Sequence, residues 1–187
     1  EELQACRDGY IYIHDMSARR DTMNCCLFDV KSVLTGGFEM GNLWYNEPKT
    51  LNVAFDVIGD IVLSAASQQY GGFTVPSVDL LLEPFAEKSY KKFYDRYVEL
   101  GLTPERAEQE SVKDVLVDFE QGFQGWEYKF NTVASSRGDY PFITVTGGIG
   151  TGRFAKLACI CMLNVRRRGQ GKKECKKPVL FPKIVFL

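Results

Sequence analysis

A single histidine, His14, stands in a chain of 187 residues, and none of its six cysteines is spaced C-x-x-C. Those two shortages remove the paired ligand spacings on which structural zinc sites are built. No apolar run approaches the roughly eighteen residues that a membrane-crossing helix needs. The opening EELQACRDGY has no basic segment followed by an apolar core, so it does not read as a secretory signal. Neither sign of charge is in excess. Lys+Arg number 23 against 24 Asp+Glu, a net charge of -1, which argues against nucleic acid or an anionic membrane as a partner of the whole molecule. What is present is the composition of a packed protein: 45% hydrophobic, 13% aromatic, Gly 17 and Pro 7. Disordered and collagen-like chains are thereby excluded. The reading is a soluble, intracellular, cytoplasmic chain with room for one domain or a piece of a larger one.

Local patterns suggest alternating strands and helices. Residues 10–15, YIYIHD, suit a strand with His14 and Asp15 at its C-terminal end. An apolar stretch, CCLFDVKSVL, is followed by a break at the three glycines of TGGFEMGN. Ala54, Val57, Ile58, Ile61, Val62 and Ala65 recur at intervals of three and four, which predicts a helix over Thr50–Gln69. Thr50 is its expected N-cap, and Gly71 and Gly72 its expected stop. A second helix is expected over Val78–Leu100, with Pro84 as a local irregularity and Gly101 at its close. The third opens with Thr103 as N-cap and Pro104 at the first helical position. Its apolar stripe is Val112, Val115, Leu116, Phe119, Phe123 and Trp126. A strand PFITVT, a turn GGIGTG, a helix FAKLACICML, a basic loop and a strand VLFPKIVFL complete the series. The chain begins without methionine and stops inside an apolar strand, so both edges read as cuts.

Each motif has a bland reading beside its functional one. The turn Gly147–Gly152 links a predicted strand to a predicted helix, where backbone N–H groups can face a phosphate. It lacks the last glycine of G-x-G-x-x-G and the G-K-[ST] of a phosphate loop, so a ligand-free turn is the simpler account. The run RRRGQGKKECKK, residues 166–177, has no interleaved aromatics and reads as a solvated loop before it reads as a nucleic-acid patch. His14 is either a hydrogen-bonded structural residue or a proton carrier whose tautomer Asp15 fixes. The cysteines are buried inert thiols or include one or two redox-active ones, with Cys25–Cys26 as the place to look. Composition and spacing name no substrate.

Taken in order, several stretches resemble one family. They are G-Y-I-Y-I-H-D (9–15), Asn24–Cys25, L-T-G-G-F-E-M-G-N (34–42), Pro48–Lys49 and Y-G-G (70–72). L-E-P-F (82–85), Pro141–Phe142 and V-L-F-P-K (179–183) follow. Each is weak alone. Their collinear succession from Gly9 to Leu187 is similar to the middle of the anaerobic, glycyl-radical (class III) ribonucleoside-triphosphate reductases.

The resemblance implies an α/β fold: part of the ten-stranded α/β barrel of glycyl-radical enzymes and ribonucleotide reductases, truncated at both ends. Residues 1–187 would be a single partial catalytic-barrel domain without the ATP cone, the finger-loop cysteine or the glycyl-radical loop. It also implies reduction of ribonucleoside triphosphates to deoxyribonucleoside triphosphates by thiyl-radical chemistry. Cys25 matches the cysteine that supplies reducing equivalents, Asn24 would bond the ribose hydroxyls, and His14 would assist loss of the 2′ hydroxyl or position formate. Cys26 is expected on the opposite strand face. Lys91 and Lys92 are the best-placed cations for effector phosphates. The glycyl radical would lie outside this chain, as would zinc, held by a four-cysteine C-terminal module. Formate or a thioredoxin-like protein would be the reductant, ATP and deoxynucleotides the effectors, and a radical-SAM activase and a second copy the partners. Two alternatives remain: part of another glycyl-radical enzyme, or a non-catalytic nucleotide-binding fragment using the helices and the glycine turn.

Overall fold

Short β-branched runs alternate with helical stripes along the sequence, and the fold follows that alternation. The computed structural model describes residues 2–10, 24–69, 71–132 and 142–187; the expected strand over 10–15, and His14 with it, lies outside them except for Tyr10. The elements begin with α1 (Glu2–Arg7), β1 (Cys26–Leu27), α2 (Val30–Leu34), β2 (Phe38–Met40) and β3 (Leu43–Tyr45). Next come α3 (Leu51–Ala66), β4 (Phe73–Val75), α4 (Val78–Glu99) and α5 (Pro104–Thr132). The last are β5 (Ile143–Gly147), α6 (Arg153–Arg168), β6 (Gln170–Lys172), β7 (Cys175–Lys177) and β8 (Lys183–Phe186).

Four strands form one sheet in the order β1-β4-β5-β8, every neighbouring pair parallel. Parallel pairing requires long crossovers, and α3, α4 with α5, and α6 supply them. The register sorts the sheet residues into two faces. Cys26, Phe73 and Ile143 share one row, and Val75, Val145 and Ile184 another; both rows face the helices and, with Cys26 and Ile184 half-buried, feed the core. The opposite face carries Leu27, Thr74, Thr144 and Lys183, then Thr146 and Val185, and it is much more open. Among the described residues the sheet is covered on one side only, whereas parallel strands normally bury both faces.

The helical layer is built on the predicted stripes. Val115, Phe119, Phe123 and Trp126 of α5 are buried, Val112 and Leu116 half-buried. Phe55 of α3 sits edge-on to Phe119, Phe123 and Trp126, and the Trp126 indole N–H donates to the Phe55 carbonyl at 2.9 Å. Burying each such aromatic contributes on the order of 2–3 kcal/mol. Gly122 lets the two helices approach there, because a Cβ at that position would collide with the Phe55 ring.

Three boundaries differ from expectation. Helix α3 ends at Ala66, not Gln69. Its last carbonyls are taken by the N–H groups of Ser67, Gln68 and Gln69, so Gly71 and Gly72 lie beyond the stop instead of supplying it. Thr50 is extended as an N-cap should be, but its side chain makes no capping bond; the Leu51 N–H goes to the Ser89 hydroxyl of α4 at 2.8 Å. Helix α6 runs on through Arg168, and the rest of the expected basic loop is the antiparallel hairpin β6–β7. Three arginines in a final turn complement the helix dipole, which is why the helix continues through them. The other helix ends agree closely. Thr103 accepts the Arg106 N–H at 3.4 Å ahead of Pro104, and Gly101 closes α4 at φ +86.

Candidate active site

Cys25 sits at the entry to β1, on the opposite side of the strand from Cys26. Its side chain is exposed, on the open side of the sheet with Leu27 and Thr74. Its sulfur accepts the Gly72 N–H at 3.2 Å. The Cys26 sulfur turns towards the helices and accepts the Gln69 side-chain amide at 2.9 Å. Alternation along a strand separates the two thiols, as expected. Asn24, also exposed, is tied by its carbonyl to the Gly71 N–H at 2.6 Å. An accessible thiol of fixed position beside a non-titrating amide, on a floor of threonines, can exchange hydrogen atoms and bond hydroxyl groups.

The entry to β8 lies at the same end of the sheet and is held by side chains that sequence reading missed. Asn131 of α5 accepts the N–H groups of Leu180 and Phe181 at 3.2 and 3.0 Å and donates to the Phe181 carbonyl at 2.6 Å. Arg166 donates to the carbonyls of Val179 and Pro182, at 3.3 and 2.6 Å. The same guanidinium pairs with Glu127 at 2.8 Å, whose side chain is 4% exposed and whose second oxygen accepts from Gln170 at 2.6 Å. Arg166 is therefore an internal organiser, not one charge of a solvated run. The V-L-F-P-K motif was the available signal, since a stretch with so few regular partners needs something to hold it.

At the opposite end of the sheet, the Gly147–Gly152 turn is occupied by the protein itself. Asp79, fully buried in the first turn of α4, accepts the N–H groups of Gly148 and Gly150 at 3.1 and 2.7 Å. Glu83, one turn further on, accepts the Ala155 N–H at 3.4 Å and packs against Gly152. Two internal carboxylates thus stand where a phosphate would bind, which overturns the reading of this turn as a nucleotide cradle. Cys159 lies beside it; burial and then the Asp79 charge push its thiol up. Burial, followed by the Glu120 charge, pushes the Cys161 thiol up to about 11. Both are poor nucleophiles, leaving Cys25 as the exposed thiol of the sheet.

Lys91 and Lys92 are exposed on α4, apart from Cys25, and neither makes an ion pair among the described residues. The Lys92 charge acts on Asp118 of α5, whose carboxyl burial raises. Among the described residues no cluster of three His, Cys, Asp or Glu is placed to hold a metal ion, and no helix is long and apolar enough to cross a membrane.

The family model described as anaerobic ribonucleoside-triphosphate reductase matches residues 1–187. The chain belongs to this family. It is 34% identical over 188 residues to the anaerobic ribonucleoside-triphosphate reductase of Enterobacteria phage T4, covering 98% of this chain and 30% of the phage protein. The Escherichia coli (strain K12) reductase is 36% identical over 186 residues, with 98% and 26% covered. The chain thus spans under a third of the length of these reductases. The Thermotoga maritima anaerobic ribonucleotide reductase, solved with dATP bound in the specificity site, superposes with a TM-score of 0.65 at 15% identity. That match covers 99% of this chain and 32% of the other. The same enzyme in complex with dATP and CTP gives 0.61 at 16% identity, over 87% and 27%. These likenesses establish the α/β fold with its parallel sheet.

Proposed function

We propose that this chain forms part of the catalytic barrel of an anaerobic ribonucleotide reductase, and that its open sheet face looks onto the substrate ribose. The observation that carries the reading is Cys25: an exposed thiol, fixed by a backbone N–H, on the open side of a parallel sheet in a chain of this family. The sheet described here would be the first part of a ten-stranded barrel, completed by residues outside the chain. The net reaction would convert a ribonucleoside triphosphate and formate, with a proton, into the deoxyribonucleotide, carbon dioxide and water; a thioredoxin-like protein is the other reductant class. A glycyl radical outside this chain, formed by a radical-SAM activase, supplies the unpaired electron.

The residues of this chain have defined tasks in that scheme. Cys25 delivers reducing equivalents to the ribose, a role a hydroxyl could not fill at accessible potential. Asn24 bonds the ribose hydroxyls through an amide that does not change charge. The threonines of the open face offer further hydroxyl partners. His14 assists departure of the 2′ hydroxyl or positions formate, and Lys91 and Lys92 hold effector phosphates near a homodimer contact made by α3 and α4. Zinc belongs to a C-terminal module outside this chain.

In the complete enzyme, Cys25→Ser is expected to abolish deoxynucleotide formation while the glycyl radical still appears by electron paramagnetic resonance. Turnover within about threefold of the parent would remove Cys25 from the chemistry, since losing an essential nucleophile costs orders of magnitude.

A further inference from the structure

Gly71 is left without the role its sequence position suggested, because α3 stops five residues earlier, at Ala66. Its surroundings give it another. A Cβ built on Gly71 would lie 2.5 Å from the Cys25 sulfur, 2.6 Å from the Asn24 carbonyl oxygen and 2.6 Å from the Asn24 side-chain oxygen. All three distances are below what side chains tolerate, and all three atoms belong to the two residues read as reductant and ribose ligand. The Gly71 N–H meanwhile holds the Asn24 carbonyl at 2.6 Å, and the next N–H, from Gly72, holds the Cys25 sulfur at 3.2 Å. The Gly72 carbonyl accepts the Cys26 N–H at 3.0 Å, which locks the segment into register. Gly72 itself is not crowded: a Cβ there would meet only the Phe142 carbonyl, at an ordinary 3.6 Å.

We propose that Gly71 is a positioning residue for the reaction, a bare backbone face against which the Cys25 sulfur and the Asn24 amide are set. The proposal rests on the reading of Cys25 as the reducing cysteine. Its content is steric. Neither contact involves a special backbone dihedral at Gly71, so what glycine provides is the missing methyl group. Any side chain would lever the sulfur off the Gly72 N–H and turn the Asn24 amide away from its present line. Misplacing a reacting group by about 1 Å can cost on the order of a hundredfold in rate, so a small displacement is sufficient.

Two glycines with opposite expectations make the test: Gly71, and Gly125 of α5, where an added Cβ would meet nothing. In the full-length reductase subunit carrying this segment, Gly71→Ala and Gly125→Ala are compared with the parent. Iodoacetamide labelling of Cys25 is followed by mass spectrometry on the native protein, with the buried Cys159 and Cys161 as reporters of the fold. Gly71→Ala is expected to change the rate of Cys25 labelling about threefold or more, the sulfur having been moved off the Gly72 N–H, with Cys159 and Cys161 unlabelled. Deoxynucleotide formed per glycyl radical should then fall about tenfold or more, while Gly125→Ala stays near the parent on both counts. Equal Cys25 labelling in all three proteins overturns the proposal. So does labelling of Cys159 and Cys161 in Gly71→Ala, which would make the glycine a general requirement of folding. Altered labelling with unchanged product formation overturns it as well, because a displaced sulfur would still serve the reaction; the reading of Cys25 itself falls only if Cys25→Ser still turns over.

Discussion

At the scale of single residues, burial decides which thiols can act. Cys161 is 2% exposed, and burial pushes its thiol from an ordinary 9.0 up to about 11. In the unfolded chain the proton leaves first as pH rises. The stabilising contribution of the buried neutral thiol is therefore complete below about pH 9 and is lost as pH climbs towards 11. Cys161→Ala should accordingly be less destabilising relative to the parent at pH 10.5 than at pH 8, read as the gap between their melting temperatures. Sequence alone singled out Cys25 through a family resemblance, and the alternation that separates it from Cys26 followed from strand geometry. Arg166 and Asp79 were not legible in the same way. Arg166 was hidden inside a run of like charges, and Asp79 among ordinary first-turn acids, because their backbone partners lie 13 to 71 residues away.

Among the elements, helix starts show how pattern and tertiary contact divide the work. Thr50 and Thr103 occupy the same position by sequence, yet only Thr103 caps its helix with its side chain. Thr103→Ala is expected to cost about 1 kcal/mol, and Thr50→Ala much less, in urea unfolding. The first N–H of α3 has a partner from another helix, Ser89, which no local pattern could announce. Helix stripes were legible because period and burial coincide, as in α5. The hairpin β2–β3 was seen only as a break at glycines, since three-residue strands carry too little alternation to register. The carboxylates Asp79 and Glu83, four apart on α4, likewise act as a pair only once α4 is packed against the turn before α6.

For the whole molecule, the consequential fact is that among the described residues the parallel sheet has one covered face and an end strand, β8, that displays apolar side chains. Val185 is 43% exposed and Phe186 58%. Natural sheets guard such edges with charge or cover. The isolated chain is expected to self-associate at roughly tens of micromolar, as exposed edges do, and Val185→Glu to shift it towards monomer, measured by sedimentation velocity. An α/β class was legible from the alternation of patterns. Which strand pairs with which was not, because pairing across a long crossover leaves no trace in local periodicity.

The order of the sheet has one more consequence. In space the strands run β1, β4, β5, β8, the same sequence in which the chain presents them. A nascent chain leaving the ribosome can therefore lay each strand against the edge of the one before it. Among the four described strands of this sheet, none has to be inserted between two already joined. These four strands can be laid down by accretion at the pace of synthesis.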